Sequence, residues 1–139
     1  KSDEALAGWI EVNGIEAFCD RWAKTPIIAT QDNIPSPYCE AIGARKKRLS
    51  MDGLAQALRT VGAGVISSVW DRLGEIDIPT LVMVGERDAK YRDIGIELAR
   101  ELSQAEMVIV NGAGHAAHLE ASEESARFML DFLKKERML

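Results

Sequence analysis

The chain has 139 residues, of which 47% are hydrophobic and 28% are charged, and its formal net charge is −5. This composition is typical of a soluble globular protein with one core of ordinary size. The acidic balance argues against a nucleic-acid partner, and no apolar run approaches the roughly 18 residues that a membrane span requires. We therefore expect neither nucleic-acid binding nor membrane insertion.

The first seventy residues show the patterns of helices joined by short breaks. Apolar side chains recur at helical spacing in residues 5–10 and 15–22, and the Asn-Gly pair between them predicts a stop. Pro37 predicts the start of a third helix. Ser50 predicts the N-cap of a fourth helix, which ends before Gly62. No strand is predicted in this part of the chain.

Beyond residue 70 the pattern changes to strands that alternate with helices. Residues 80–84 and 107–110 are short apolar runs, as expected of strands buried on both faces. Residues 92–102 between them have one apolar helical face, and a last helix follows from about Ser122. In that last helix we expect four side chains to face inward: Ala126, Met129, Leu130 and Leu133. The order strand, helix, strand, helix predicts an α/β fold with two parallel strands.

Two parallel strands do not make an independently stable sheet, because their edges and faces need further strands and helices. The chain also lacks an initiator methionine. We therefore interpret residues 1–70 as a helical lid (cap) segment and residues 71–139 as part of a larger α/β core. On this interpretation the chain is a piece of a longer protein.

The two cysteines, Cys19 and Cys39, are isolated, and neither belongs to a CxxC pair or a histidine cluster. We interpret them as reduced, packed side chains rather than as a disulfide or as metal ligands. This cysteine usage favours the cytoplasm. We expect no metal and no cofactor.

Two polar side chains follow the two predicted strands. Asp88 lies four residues after Val84, and His115 lies five residues after Val110. Functional side chains gather beyond the carboxyl ends of parallel strands, and neighbouring strands are about 4.8 Å apart. The two loops could therefore pair a carboxylate with an imidazole, as in a catalytic triad. The rival histidine, His118, is interpreted as structural.

Several stretches carry a resemblance to known enzymes. IPTLVMVGERDAKY and MVIVNGAGHAAHLE resemble the acid and histidine motifs of the α/β-hydrolase superfamily, whose triad runs Ser, Asp or Glu, His along the chain. GIEAFCDRWAKTPIIATQ, GLAQALRTVGAG and SSVWDRLGEIDIP extend the resemblance to the bacterial 2-succinyl-6-hydroxy-2,4-cyclohexadiene-1-carboxylate synthase family of menaquinone synthesis. The resemblance implies the C-terminal part of an α/β-hydrolase fold, namely its last two parallel strands and their helices preceded by a helical lid.

For function, this resemblance implies a carbon–oxygen lyase. Such enzymes use a Ser-His-Asp triad as a base and eliminate pyruvate from a succinyl-cyclohexene-dicarboxylate intermediate, a small-molecule polycarboxylate. Asp88 then matches the triad acid and His115 the triad histidine. Trp22 matches a tryptophan that lines the pocket, and Lys90 matches a lysine beside the site. Arg48, within a run of four basic residues, is our choice for a lid arginine that contacts substrate carboxylates.

Simpler interpretations exist for the last three residues. Trp22 completes a helical apolar stripe, so core packing alone would explain it. Lys90 would be an ordinary solvated lysine, and a basic run is more often an exposed helix face than an anion site. Arginine nevertheless binds carboxylates bidentately, which suits a polycarboxylate substrate.

One expected motif is absent from the sequence. No G-x-S-x-G occurs, so we expect the nucleophile and the oxyanion loop to lie upstream of Lys1. The chain alone would then be inactive. Two alternatives stay open: another α/β-hydrolase activity, such as an esterase or a carbon–carbon bond hydrolase, and a non-catalytic α/β-hydrolase-like binding protein.

Overall fold

A computed structural model of the protein describes residues 2–137, without the side chains of Asp32 and Asn33. The described residues form two compact units. The helical unit comprises the residues up to Ala29 together with Ser36–Ser68. The strand-containing unit comprises Thr30–Pro35 and the residues from Val69 onward. None of the helices in the described part of the chain is long and apolar enough to cross a membrane.

The helical unit contains four α-helices. They are α1 (Ser2–Ala23), α2 (Pro26–Ala29), α3 (Tyr38–Lys47) and α4 (Met51–Val61). Gly14 interrupts α1 with φ of +82°, a conformation that glycine adopts without steric cost, so the predicted stop is a kink between two helical stretches. The Ser50 hydroxyl accepts a hydrogen bond from the backbone N–H of Gly53, which confirms the predicted N-cap of α4.

Packing of α1 against α4 forms the core of the helical unit. Ala7, Ile10 and Ala55 are fully buried there. At the edge of this contact the Arg59 guanidinium forms ion pairs with Glu4 and Glu11, both on α1. Apolar burial and an ion-pair network therefore hold the same two helices together.

The strand-containing unit is a two-stranded parallel sheet with helices on both faces. Its elements are β1 (Thr80–Gly85), α5 (Ala89–Glu101), β2 (Ala105–Val110), α6 (Ala117–Glu120) and α7 (Ser122–Lys135), with 3₁₀ turns at Thr30–Asn33 and Trp70–Glu75. The strands pair from Thr80 opposite Ala105 to Gly85 opposite Val110. The predicted pair of parallel strands is confirmed.

Each face of the sheet has its own apolar cluster. On the α5 face the cluster is built on Leu73, Val82 and Leu102. On the other face Val110, Ala113 and Ala117 are buried, with Met83 and Phe128 packed against them. Helices thus cover both faces of the sheet, which suits the continuous apolar sequences of the strands, although Ile109 of β2 is still 40% exposed.

The inward face of α7 differs from the prediction. Of the four side chains expected to face inward, Leu133 is half-buried, whereas Ala126, Met129 and Leu130 are exposed. The buried face instead carries Ser125, which is fully inaccessible, and the half-buried Phe128 and Phe132. The Ser125 hydroxyl donates to the Ala117 carbonyl at 3.0 Å, so a polar side chain occupies the core face. Apolar residues form two overlapping stripes on this helix, and spacing alone does not select between them.

Candidate active site

Asp88 and His115 meet beyond the carboxyl ends of the two strands. Asp88 is the N-cap of α5, three residues after β1 ends, and His115 lies in the loop between β2 and α6. The Nδ1 atom of His115 is 2.6 Å from Oδ2 of Asp88. Since Nδ1 is engaged by the carboxylate, it carries the proton in the neutral imidazole, and Nε2 is the nitrogen that can accept one.

The two side chains of this pair differ sharply in exposure to solvent. The Asp88 side chain is only 4% exposed, whereas that of His115 is 31% exposed. The second carboxylate oxygen of Asp88 accepts the backbone N–H of Tyr91 at 3.2 Å. The Tyr91 ring also lies against the imidazole, with centroids 4.6 Å apart. A buried carboxylate that accepts two hydrogen bonds thus orients an imidazole whose other edge is accessible.

Backbone hydrogen bonds join the two loops that carry this pair. After β1, the N–H groups of Glu86 and Arg87 donate to the carbonyls of Val110 and Ala113 at 3.0 and 2.8 Å. In return, the Glu86 carboxylate accepts the N–H of Gly112 at 2.8 Å. The acid loop and the histidine loop are therefore one connected structure.

Gly85 allows these loops to approach so closely. A Cβ atom at this position would lie 2.1 Å from the carbonyl oxygen of Gly114, far inside van der Waals contact. The backbones of the two loops touch here, and only glycine fits.

Lys90 lies two residues after Asp88, in the first turn of α5. It is exposed, and its ammonium is 5.3 Å from the centroid of the Tyr91 ring. A cation near a helix N-terminus opposes the helix dipole, so helix stability does not explain a lysine at this position. The position suits contact with an anionic ligand.

Trp22 and Arg48 belong to the helical unit. Trp22 is half-buried, stacks on Phe18 with centroids 5.5 Å apart, and lines a cavity of about 550 Å³. Arg21 lines the same cavity and lies over the Trp9 ring at 4.7 Å. Trp22 therefore both packs in the core of the helical unit and lines a cavity, and its role toward substrate stays a prediction.

Arg48 is the exposed C-cap residue of α3. The basic residues that precede it lie in the last turn of this helix, where positive charge stabilises the helix dipole. Helix stability therefore accounts for part of the basic run, and a role for Arg48 toward substrate stays a prediction.

The structure also separates the two histidines. His118 is exposed on the short helix α6, and Asp88 bonds His115 instead. Tyr91 was not anticipated, although its N–H contact to Asp88 is the ordinary N-cap pattern of residue i with i+3. Among the described residues no group of three or more His, Cys, Asp or Glu side chains is arranged to hold a metal ion.

Comparison with known proteins finds sequence relatives and a similar solved structure. No family model matches the chain. It is 33% identical over 131 residues to a Bacillus subtilis (strain 168) protein provisionally named 2-succinyl-6-hydroxy-2,4-cyclohexadiene-1-carboxylate synthase, a match that covers 94% of this chain and 48% of the relative. Over 64 residues it is 44% identical to a 2-hydroxy-6-oxononadienedioate/2-hydroxy-6-oxononatrienedioate hydrolase of Paraburkholderia xenovorans (strain LB400), which covers 45% of this chain and 22% of the relative.

Among solved structures, that of MenH from S. aureus superimposes with a TM-score of 0.93 at 33% sequence identity. The match covers 98% of this chain and 51% of the MenH chain. The chain thus spans about half the length of MenH and of the Bacillus subtilis relative.

Three observations define the class of protein. They are two parallel strands with helices on both faces, an acid and a histidine beyond the carboxyl ends of these strands, and the superposition on MenH. The chain has the C-terminal part of an α/β-hydrolase fold. Within that class it resembles the C-terminal half of the 2-succinyl-6-hydroxy-2,4-cyclohexadiene-1-carboxylate synthases, the family of menaquinone biosynthesis indicated by its sequence motifs. The predicted fold and the predicted resemblance are both confirmed.

Proposed function

We propose that this chain supplies the acid and the base of a lyase that eliminates pyruvate in menaquinone biosynthesis. The observation that carries the proposal is the 2.6 Å contact between a buried Asp88 and an accessible His115, in a chain similar to the named synthases. The serine of the triad and its oxyanion hole would come from the part of the enzyme that this chain does not contain.

In the proposed reaction His115 is the base. Its Nε2 accepts a proton from the substrate, relayed through the serine, while Asp88 stabilises the imidazolium that forms. The electron pair left by the proton becomes part of a new ring double bond. A carbon–oxygen bond breaks in the same elimination, and its electron pair leaves with that oxygen as the enolate of pyruvate. His115 then returns the proton to this enolate, which gives pyruvate and regenerates the base.

We propose that the substrate is a polycarboxylate, and we assign contacts with it to Lys90, Trp22 and Arg48. Lys90 is exposed in the first turn of α5, two residues after Asp88, and would bind a carboxylate. Trp22 would contact the substrate ring from the aromatic cavity of the helical unit, and Arg48 would bind a second carboxylate. Cys19 and Cys39 are both free, but Cys39 is exposed, so the prediction that both are packed is wrong for Cys39. Free cysteines support the proposal of a cytoplasmic enzyme.

A second candidate function is hydrolysis of a carbon–carbon bond. It is favoured by the 44% identity to the oxononadienedioate hydrolase over 64 residues. Both candidates use the same acid and histidine, so Asp88 and His115 do not distinguish them. The two differ in whether water is consumed and in the substrate that is accepted.

The test is an assay of the complete protein with both kinds of substrate. We expect release of pyruvate from the succinyl-cyclohexene-dicarboxylate intermediate, and little turnover of 2-hydroxy-6-oxononadienedioate or of a simple aryl ester. Preference for 2-hydroxy-6-oxononadienedioate would establish the hydrolase in place of the lyase. Binding without turnover of any of the three would indicate a non-catalytic relative.

A further inference from the structure

The backbone of the His115 loop is held by two side chains, Glu120 and Thr30. One carboxylate oxygen of Glu120 accepts the N–H of Gly114 at 2.7 Å, and the other accepts the N–H of Ala116 at 3.1 Å. Between them, the His115 N–H donates to Oγ1 of Thr30 at 3.2 Å. The Thr30 hydroxyl in turn donates to Glu120 at 3.2 Å. Three consecutive backbone donors are therefore bound by one hydrogen-bonded pair.

Packing reinforces these hydrogen bonds. A Cβ atom on Gly114 would lie 2.2 Å from both Cβ and Oγ1 of Thr30, so the threonine rests directly on the loop backbone. Thr30 begins a 3₁₀ turn that is followed by the buried Ile34, which anchors this segment in the strand-containing unit. The loop is thus fixed from one side by contacts and by charge-assisted hydrogen bonds.

Helix capping explains only part of this arrangement. A glutamate that reaches back to the N–H preceding a helix is an ordinary cap, and the Glu120 contact with Ala116 fits that description. A cap needs neither the contact with Gly114 nor a threonine from 85 residues away. Those two contacts bracket His115, the residue whose ring must stay aligned with Asp88.

We propose that Glu120 and Thr30 are positioning residues that hold the His115 imidazole against Asp88. The inference rests on the proposed function, in which His115 is the base. The pair touches the loop backbone rather than the reacting groups, so it acts on the rate of proton transfer through the placement of the ring. Loss of either side chain leaves loop donors unpaired and allows the imidazole to shift.

The decisive comparison is Thr30→Val against Thr30→Ser in the complete protein. Valine keeps the shape but lacks the hydroxyl, and serine keeps the hydroxyl. Because misplacement of a catalytic group by about 1 Å costs up to ~100-fold in rate, we expect Thr30→Val to lower kcat by roughly 10- to 100-fold with KM within about twofold. Thr30→Ser should restore most of that loss.

Glu120→Ala should behave like Thr30→Val, and Glu123→Gln, a change at an exposed carboxylate on α7, is the matched control. A second measurement does not depend on turnover. The low-field NMR signal of the His115 Nδ1 proton, bonded to Asp88, should weaken or shift in Thr30→Val and Glu120→Ala and stay unchanged in Glu123→Gln. If Glu120→Ala fails to fold, the two threonine variants decide alone.

Three outcomes would contradict the inference, and each has its own signature. If His115→Ala is inactive while Thr30→Val and Glu120→Ala keep the wild-type kcat and Nδ1 signal, the positioning inference is overturned and the proposed function stands. If His115→Ala itself turns over normally, the proposed function fails and the inference fails with it. A lower melting temperature with unchanged kcat would show that the pair is structural only.

Discussion

Asp88 makes two contacts with one carboxylate, and they serve different purposes. One oxygen caps α5 through the N–H of Tyr91, and the other holds Nδ1 of His115. Asparagine at this position would keep an oxygen for the cap but would present an amide donor to the imidazole. The histidine would then be held in the wrong tautomer, while the helix cap survived.

We therefore expect Asp88→Asn and His115→Ala in the complete protein to lower kcat by several orders of magnitude. Melting temperatures should change little for His115→Ala, because the ring is partly exposed, and modestly for Asp88→Asn. His118→Ala is the control, since this exposed histidine lies outside the pair. Equal damage from His118→Ala and His115→Ala would show that the base has been assigned to the wrong histidine.

Lys90 gives a second prediction at the residue scale. Its loss should remove one charge-assisted hydrogen bond to a substrate carboxylate. Lys90→Ala should therefore lower kcat/KM by an amount equivalent to roughly 1–3 kcal/mol of transition-state free energy. The effect should be much smaller with a neutral ester. Arg92→Ala, on the same helix, controls for a general loss of positive charge. An equal effect on charged and neutral substrates would contradict a carboxylate contact.

At the scale of elements, Arg59 links α4 to two carboxylates of α1. The hydrogen bond with Arg59 is the main reason that the pKa of Glu11 lies below its ordinary value of 4.5, and hydrogen bonds with Glu11 and then Glu4 raise the pKa of Arg59. A depressed carboxylate pKa means that the stabilisation is fully present above the unfolded-state pKa. It is lost as the pH falls through the folded-state pKa.

The contact between α1 and α4 should therefore weaken in acid, below about pH 4.5. We expect the melting temperature of Glu11→Gln to be lower than that of wild type at neutral pH and to converge with it as the pH falls. Added salt should also narrow the difference, because the pair is at the surface. Glu16→Gln, an exposed change on the same helix, should run parallel to wild type. A constant difference at all pH values would rule out this linkage.

At the scale of the whole molecule, the strand-containing unit leaves large apolar side chains in contact with water. Examples are 40% to 63% exposed: Val69, Ile78, Ile109, Met129 and Leu130. A sheet of two strands also has unpaired edges. Together with a span of about half of the MenH chain, these features indicate surface that further strands and helices would cover.

We therefore expect the 139-residue chain by itself to bind a hydrophobic dye such as ANS and to unfold without a sharp transition. It should also show no turnover, since it contains no G-x-S-x-G motif. The complete protein, measured in parallel, should exclude the dye and unfold cooperatively. Cooperative unfolding of the isolated chain as a monomer would show that its own core is sufficient.

Much of the fold was determined by local patterns in the sequence. Residues 80–84 and 107–110 form strands because continuous apolar runs suit a sheet that is covered on both faces. Ser50 begins a helix because a hydroxyl can satisfy its first N–H groups. The contact between Asp88 and His115 was also predictable, because the ends of adjacent parallel strands must lie side by side. The division into a lid and a core at residue 70, by contrast, stays a prediction.

Only the tertiary structure decided which distant groups meet. Thr30 lies in the helix-rich part of the sequence, yet it packs in the strand-containing unit against a loop 85 residues away. Its sequence neighbourhood gives no sign of this, because capping and periodicity describe contacts within a few residues. The inward face of α7 is similar, since two apolar stripes were available and the buried one depends on the shape of the sheet beneath. Local patterns therefore determine the elements and their ends, and packing between elements selects the partners.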